Sequence, residues 1–201
     1  MNLEYQWVLI FLPILILPWD VLPFKSLEVR NLPLSERDQI SLSMRLAVLD
    51  PDRSESILKE QAKLITNSDR KARFNFLLPA LSSNLKIRAE FVDSLRDYRN
   101  REREAWVTAG LQYIHHPSRA TESVIHISSG LNLLTEIQRT GDIFFPSQWL
   151  NAIFDGHNSS AALDIALNFI NENPGLPLRL LEKIEQAIDP LRRSVAISMR
   201  D

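Results

Sequence analysis

The sequence predicts an all-α fold of about ten helices, arranged as stacked antiparallel pairs. Apolar residues recur at spacings of three and four along most of the chain after residue 32, as they do in amphipathic helices. Candidate helix starts also recur every 33 residues. No segment of the chain beyond its N-terminal region shows the alternation of apolar and polar residues that is typical of a strand.

Residues 1–31 are predicted to form an apolar segment ahead of a helical domain at 32–201. The stretch Trp7–Pro18 carries no charge, but it is shorter than the about 20 residues that a transmembrane helix needs. Its regularly spaced prolines also disfavour a continuous helix. We therefore expect an extended strap that packs on the domain or on a partner. A weak membrane anchor at residues 7–24 is the alternative, and the basic residues after it would favour a cytoplasmic domain.

Each helix of the domain is predicted from its capping residues and its apolar spacing. Ser35, followed by an acidic turn, begins the first helix, and Asp50-Pro51 ends it. Ser54 begins the second helix, and Ser68-Asp69 caps the third, which we expect to end before Pro79. The predicted helical segments are 36–49, 54–67, 68–78, 87–95, 102–114, 119–127, 129–140, 146–155, 159–172 and 176–189.

Three of these helix starts repeat a short pattern. Segments that begin at Leu34, Asn67 and Asn100 each carry an acidic residue followed by arginine, ahead of an apolar helix. A period in this range is typical of one helix pair per repeat, because each pair buries its apolar face on its neighbours. We therefore predict an α-solenoid of the HEAT or armadillo kind, with an irregular end after Gly130.

The same register places three arginines at equivalent positions of successive repeats. Stacking would align Arg37, Arg70 and Arg103 as a ridge of guanidinium groups along one edge. Such a ridge could hold an acidic partner surface or a peptide carboxylate, for which the planar guanidinium is well suited. Because an acidic residue directly precedes each arginine, surface ion pairs within the ridge are the alternative.

The connector "GDIFFPSQWL" (141–150) is unusually apolar. Gly141 is expected to end the preceding helix in the left-handed conformation, and Pro146 fits the first position of the next helix. With Phe145 as the cap, Phe144 and Trp149 take the places of a hydrophobic staple. We predict burial of this connector between helix pairs, with a pocket for a ligand or a neighbouring domain as the alternative. The predicted wedge comprises Gly141, Ile143, Phe144, Phe145, Pro146 and Trp149.

The composition excludes several classes of function. The 23 basic residues nearly balance the 25 acidic ones, so no strong field would attract nucleic acid. The sequence has no cysteine, which excludes disulfides, thiolate metal sites and cysteine nucleophiles. We therefore expect no nucleic-acid partner.

The histidines do not form a recognisable metal site. His115 and His116 are adjacent and point about 100° apart on a helix, so they do not chelate one ion; near a helix C-terminus they interact with the dipole instead. Glu122 and His126 share a helix face, but two ligands without a third make a poor zinc site, and a local ion pair or a solvated face is expected. His157 is predicted to be a polar residue of a turn.

Three longer stretches carry a family resemblance. The segments "TNSDRKARFNFLLPALSS" (66–83), "NREREAWVTAGLQYIHHPSR" (100–119) and "LLTEIQRTGDIFFPSQWLNAIFDGH" (133–157) resemble the C-terminal helical domain of aminopeptidase N-like zinc metallopeptidases. The similar region covers about Leu32–Asp189. The resemblance implies a helical module that packs on a thermolysin-like catalytic domain and restricts the access of peptides to its zinc centre.

The motifs that carry catalysis in that family have no counterpart in this sequence. The zinc motif H-E-x-x-H is absent, as is the Gly-x-Met-x-Asn segment that holds the substrate amino terminus. We therefore predict no catalytic residue, no metal ligand and no cofactor in this chain. Two functions remain open: a non-catalytic module that partners an aminopeptidase catalytic domain, and a free-standing helical scaffold that binds a protein or peptide.

Overall fold

The computed structural model describes residues 34–199, so the predicted N-terminal strap lies outside the described residues. The described chain is helical and contains no strand. Short 3₁₀ turns occur at Tyr98–Arg101, Pro117–Arg119 and Val124–His126. The α-helices are α1 (Glu36–Leu49), α2 (Ser54–Leu64), α3 (Ser68–Leu81), α4 (Leu85–Ser94), α5 (Glu104–Ile114), α6 (Ala120–Ser123), α7 (Ile127–Asn132), α8 (Leu134–Thr140), α9 (Phe145–Phe154), α10 (Ser160–Glu172) and α11 (Leu178–Ser198).

Side-chain caps fix where several helices begin. The Asn67 side chain accepts a hydrogen bond from the backbone N–H of Arg70 at the start of α3. Asn84 caps α4 and Ser159 caps α10 in the same manner. These caps satisfy backbone donors that have no partner within the helix. The helix starts are therefore encoded locally by single polar residues.

Five helices form a row of neighbours. Helix α1 contacts α3, α3 contacts α5, α5 contacts α9, and α9 contacts α11. Most of the other helices contact members of this row: α2 lies against α1 and α3, α4 against α3, α7 and α8 against α9, and α10 against α11. These helices belong to one unit, which begins at Glu36. The row supplies the surface on which the candidate site lies.

The connector before α9 is buried only in part, which corrects the sequence interpretation. Phe145 and Trp149 are buried and pack edge to face with ring centroids 5.9 Å apart, and the Trp149 indole N–H donates to the Gly130 carbonyl. Phe144 is 67% exposed and Ile143 is 72% exposed, so the expected staple between Phe144 and Trp149 is not formed. Phe145 is the first residue of the helix and Phe144 its cap. Pro146 is buried in the first turn of α9.

Gly141 has an extended backbone with φ −90° and ψ 172°, so the predicted left-handed conformation is wrong. Its role is close packing. A Cβ atom at this position would lie 2.7 Å from the Phe145 ring and 3.0 Å from the Ile137 carbonyl oxygen. The glycine therefore allows the end of α8 to approach the buried start of α9.

The last helix continues through a proline, whereas the sequence predicted an end at residue 189. Helix α11 contains Pro190 and extends to Ser198. A proline in a helix interior costs about 3 kcal/mol. Leu191 and Val195 are buried beyond it, and burial of each stabilises the fold by about 1.5–3 kcal/mol. Packing of the apolar stripe therefore offsets the cost of the proline.

Buried arginines connect parts of the chain that are about 35 residues apart. The Arg88 guanidinium donates to the Glu122 carboxylate, 34 residues away, and also to two carbonyls at the end of α3 and the turn after it. Arg101 makes the same type of contact with Glu136, 35 residues away. Arg119 donates to the final carbonyls of α3, and burial lowers its pKa to about 10. These guanidinium groups satisfy helix-terminal carbonyls that lack an intrahelical partner.

Candidate functional site

A basic groove lies across α1, α3 and α5 and is the candidate site. Its cavity volume is about 510 Å³, within the range of about 300–1,000 Å³ that is usual for ligand sites. We call it the α1–α3–α5 groove. It is lined by Arg37, Ile40, Ser41 and Met44 of α1, by Asp69, Arg70, Arg73, Phe74 and Leu77 of α3, and by Trp106 and Tyr113 of α5.

The structure brings two of the three predicted ridge arginines together. Arg37 and Arg70 both line the groove. Arg103 lies just before α5 and does not line it, but its guanidinium lies 4.1 Å from the ring centre of Trp106, which does. This cation–π contact holds the indole beside the groove.

An ion pair of Arg70 links helices α1 and α3. Arg70 pairs with Glu36 of α1 at 3.0 Å, and Thr66 donates to the same carboxylate through both its hydroxyl and its backbone N–H. Hydrogen bonds from Thr66, followed by that from Arg70, lower the pKa of Glu36 to about 2. Glu36 therefore stays ionised at neutral pH, and the charge of Arg70 is already compensated.

The remaining arginines of the groove carry uncompensated charge. Arg37 and Arg73 are exposed and form no ion pair or hydrogen bond with another residue of the described chain. Asp69 supplies the one carboxylate among the described lining residues. Arg45 also lies close enough to act on the Tyr113 hydroxyl electrostatically. The groove therefore presents a net positive surface.

The floor of the groove is apolar. Ile40, Met44, Phe74 and Leu77 are all buried, with Phe74 1% and Leu77 0% exposed. Tyr113 is partly exposed at the edge, and burial of its ring raises the pKa of its hydroxyl. The hydroxyl is therefore protonated at neutral pH and can donate a hydrogen bond. Guanidinium groups around an apolar floor are suited to a ligand that is both anionic and apolar.

A second polar cluster is a buried pair of histidines. His115 Nδ1 lies 2.8 Å from His157 Nε2, and both side chains are buried. His157 lies in the connector between α9 and α10, as the sequence predicts, but its side chain is buried rather than solvent-exposed. Burial lowers the pKa of both imidazoles. Among the described residues, His115 Nε2 and His157 Nδ1 find no hydrogen-bond partner, which makes the pair costly for stability.

A close approach of two backbone segments creates this histidine pair. A Cβ atom on Gly156 would overlap the carbonyl oxygen of His115. Glycine thus lets the turn after α9 lie directly on the end of α5, which places His157 against His115. The contact joins residues 42 apart, so the sequence alone did not indicate it.

The other candidate residues do not form a metal centre. Glu122 pairs with Arg88 and not with His126. His116 accepts a hydrogen bond from the backbone N–H of Ser118. Within residues 34–199, no group of three or more histidine, aspartate or glutamate side chains could hold a metal ion. In that same region, none of the helices has the length and apolar character needed to cross a bilayer.

Comparison with known proteins gives no relative from which a function could be transferred. No protein-family model, curated protein or solved structure matches the chain. The groove and the contacts around it are therefore the basis for assigning a function.

Proposed function

We propose that this chain is a non-catalytic helical-repeat module that binds an extended segment of a protein partner in the α1–α3–α5 groove. The observation that carries the proposal is the lining of the groove, where buried apolar residues lie beside exposed arginines and two aromatic rings. Tyrosine, tryptophan and arginine are the residues that contribute most to protein interfaces. The groove offers all three on rigid helices.

We infer that the helices form a solenoid of stacked antiparallel pairs. The row of contacts from α1 through α3, α5 and α9 to α11 supports this arrangement, since repeat proteins contact mainly their nearest neighbours. Contacts at a separation of one repeat support it further: Arg70 with Glu36 and Arg88 with Glu122, both 34 residues apart. In such a stack, α1, α3 and α5 would occupy equivalent places in successive repeats and would form one continuous surface.

The proposal is tested by removing the indole from the groove. Wild-type protein would be titrated with a fluorescent pool of degenerate octapeptides and followed by anisotropy. Trp106→Ala should weaken binding about tenfold or more, because anchor residues of this type contribute at least about 2 kcal/mol. Tyr98→Ala is the matched control, since Tyr98 is 60% exposed and lies outside the groove. Equal binding by the two variants would refute the proposal.

Trp106 also packs on Phe76 with ring centroids 5.7 Å apart, so its loss could affect folding. Arg37→Glu provides a second variant, because Arg37 is exposed and its replacement removes no hydrogen bond or ion pair within the described chain. This variant should retain the wild-type circular dichroism spectrum and melting temperature while losing peptide binding. Unchanged peptide binding by Arg37→Glu would count against the groove.

A second candidate function is the one that the family resemblance implies, a module that packs on an aminopeptidase catalytic domain. The observation that favours it is the pair of exposed apolar residues Ile143 and Phe144, next to each other before α9. Its test is peptidase activity on aminoacyl chromogenic substrates with added zinc. The chain alone should be silent, and it should alter turnover when combined with an H-E-x-x-H domain. Zinc-dependent turnover by the chain alone would contradict both candidates.

A further inference from the structure

We infer that the segment bound in the α1–α3–α5 groove is acidic and carries an apolar side chain between or beside its carboxylates. This inference rests on the proposed function and adds the chemical class of the ligand. Two features of the groove select this class of ligand. Two of its three arginines form no ion pair within the described residues, and apolar and aromatic side chains line it.

The arginines differ in their availability. Arg70 is engaged by Glu36, whose carboxylate also accepts two hydrogen bonds from Thr66. This network fixes Arg70 in place and neutralises it. Arg37 and Arg73, which line the same groove, have no such partner within residues 34–199. They are the groups that a ligand can pair with.

Both available cations are arginines, which matters for the kind of anion that is recognised. A guanidinium presents paired N–H donors that match the two oxygens of a carboxylate. Arg37 belongs to α1 and Arg73 to α3, so a ligand that engages both spans the groove from one helix to the next. Arg45, also exposed and on α1, extends the positive surface towards Tyr113.

The floor requires an apolar component. The groove is lined by the buried side chains of Met44, Phe74 and Leu77 and by the partly exposed Trp106 and Tyr113 rings of α5. Methionine and aromatic groups adapt well to aliphatic and aromatic partners. A purely anionic ligand would leave the partly exposed rings of Trp106 and Tyr113 in contact with water, whereas a leucine or phenylalanine flanked by acids would cover them.

A peptide fits these features better than a nucleic acid. Affinity for nucleic acid depends on many phosphate contacts with lysine and arginine, whereas this groove offers two uncompensated arginines with Arg45 beside them. The whole chain has a formal net charge of −2, so no wider basic field surrounds the groove. The apolar floor would also be poorly used by a phosphate backbone.

The test uses three labelled octapeptide pools, with anisotropy as the measurement. The first pool combines Asp and Glu with Leu, Ile and Phe. The second replaces every acid by Asn or Gln, and the third replaces every apolar residue by Ser. The first pool should bind at least about tenfold more tightly than either of the others. Raising the salt concentration should weaken binding of the first pool more than binding of the second. The extra affinity of the acidic peptides is electrostatic, and salt screens it.

Variants connect the preference to named residues. Arg37→Gln combined with Arg73→Gln should reduce binding of the acidic, apolar pool about tenfold or more, and should leave the Asn/Gln pool unchanged. Arg179→Gln is the matched control, because it removes an exposed arginine from α11, outside the groove. This control should bind all three pools as the wild type does.

The outcomes separate this inference from the proposed function. If the Asn/Gln pool binds as tightly as the acidic pool and is lost in Trp106→Ala, the acidic preference is refuted while the groove remains a peptide site. If the Ser pool binds as tightly as the acidic, apolar pool, the requirement for an apolar side chain in the ligand is refuted. If a twelve-nucleotide thymidine oligomer binds more tightly than the acidic, apolar pool, the inference of a peptide ligand is refuted in favour of a nucleic acid. If no pool distinguishes wild type from Trp106→Ala and Arg37→Glu, the proposed function fails together with this inference.

Discussion

Replacing Arg101 by methionine should lower the free energy of unfolding by about 3–5 kcal/mol, because two backbone carbonyls lose a charged hydrogen-bond donor. The Arg101 side chain is 3% exposed, and it donates to the carbonyls of Leu95 and Arg96 and to the Glu136 carboxylate. Methionine would fill much of the space of the arginine stem. It would provide no donor for these three acceptors.

The magnitude follows from the contacts that are lost. A hydrogen bond that involves a charged group contributes about 1.5–3 kcal/mol when its partner is left unsatisfied in a buried site. Arg101 makes two such bonds to carbonyls, one of them to Leu95, which is 0% exposed. The pair with Glu136 adds less, about 0–1 kcal/mol, because that carboxylate is 35% exposed and partly solvated. The carbonyls at the end of α4 therefore dominate the loss.

Urea unfolding followed by circular dichroism at 222 nm measures this loss by linear extrapolation. Arg96→Met is the matched control, because the Arg96 side chain is 61% exposed and pairs only with Asp93; it should change stability by less than about 0.5 kcal/mol. If Arg101→Met fails to fold, the milder Glu136→Gln should still show a loss of about 1 kcal/mol. A loss below about 1 kcal/mol in Arg101→Met, or one equal to that of the control, would refute this reasoning.

Three further predictions concern the histidine pair and the start of α9. Gly156→Ala should destabilise the fold by at least about 2 kcal/mol, because its Cβ would overlap the His115 carbonyl; an unchanged melting temperature would contradict this. Since burial lowers the pKa of His115 and His157, the unfolded chain binds protons below about pH 6.5 that the folded chain does not. Stability should therefore fall as the pH drops from 6.5, by up to about 1.4 kcal/mol per pH unit for each histidine; equal urea midpoints at pH 7.5 and 5.5 would rule out this coupling. Phe145→Ala should cost about 3–5 kcal/mol in urea unfolding while Phe144→Ala costs less than about 0.5 kcal/mol, since only Phe145 is buried; similar losses would show that the exposure of Phe144 has been misjudged.

Local signals were sufficient to predict most of the helices. Ser54, Ser68 and Pro146 lie at or next to the observed starts of α2, α3 and α9. Caps and turn residues act within a few positions of the chain, so a single sequence contains them. The 33-residue period stays a prediction; the structure shows one ion pair at a similar separation, between Arg70 and Glu36.

Features that depend on contacts between distant residues were not predictable in this way. Apolar character indicated burial of the 141–150 connector, but it did not indicate that Phe145 would face inwards while Phe144 faces solvent. The end of α11 was misplaced because the penalty of Pro190 is local, whereas the burial of Val195 that offsets it depends on tertiary packing.

The candidate site was also predictable only where its residues share a local sequence pattern. The repeat register pointed to Arg37 and Arg70, which line the groove. Arg73 was missed, although its position three residues after Arg70 on the same helix is a usable signal. Trp106 and Tyr113 were missed because they join the groove from α5, and a single sequence does not reveal which faces of α1, α3 and α5 meet.

The buried arginine contacts also bear on how the protein is made. Arg88 reaches Glu122, Arg101 reaches Glu136, and each contact spans 34 or 35 residues. When a ribosome has released Glu122, the partner of that residue is already outside and is held in a finished helix. Each new helix can therefore dock on the one synthesised shortly before it, without waiting for the C-terminus. Folding during synthesis would then proceed from α1 towards α11, and nascent chains released after α5 would already contain a complete α1–α3–α5 groove.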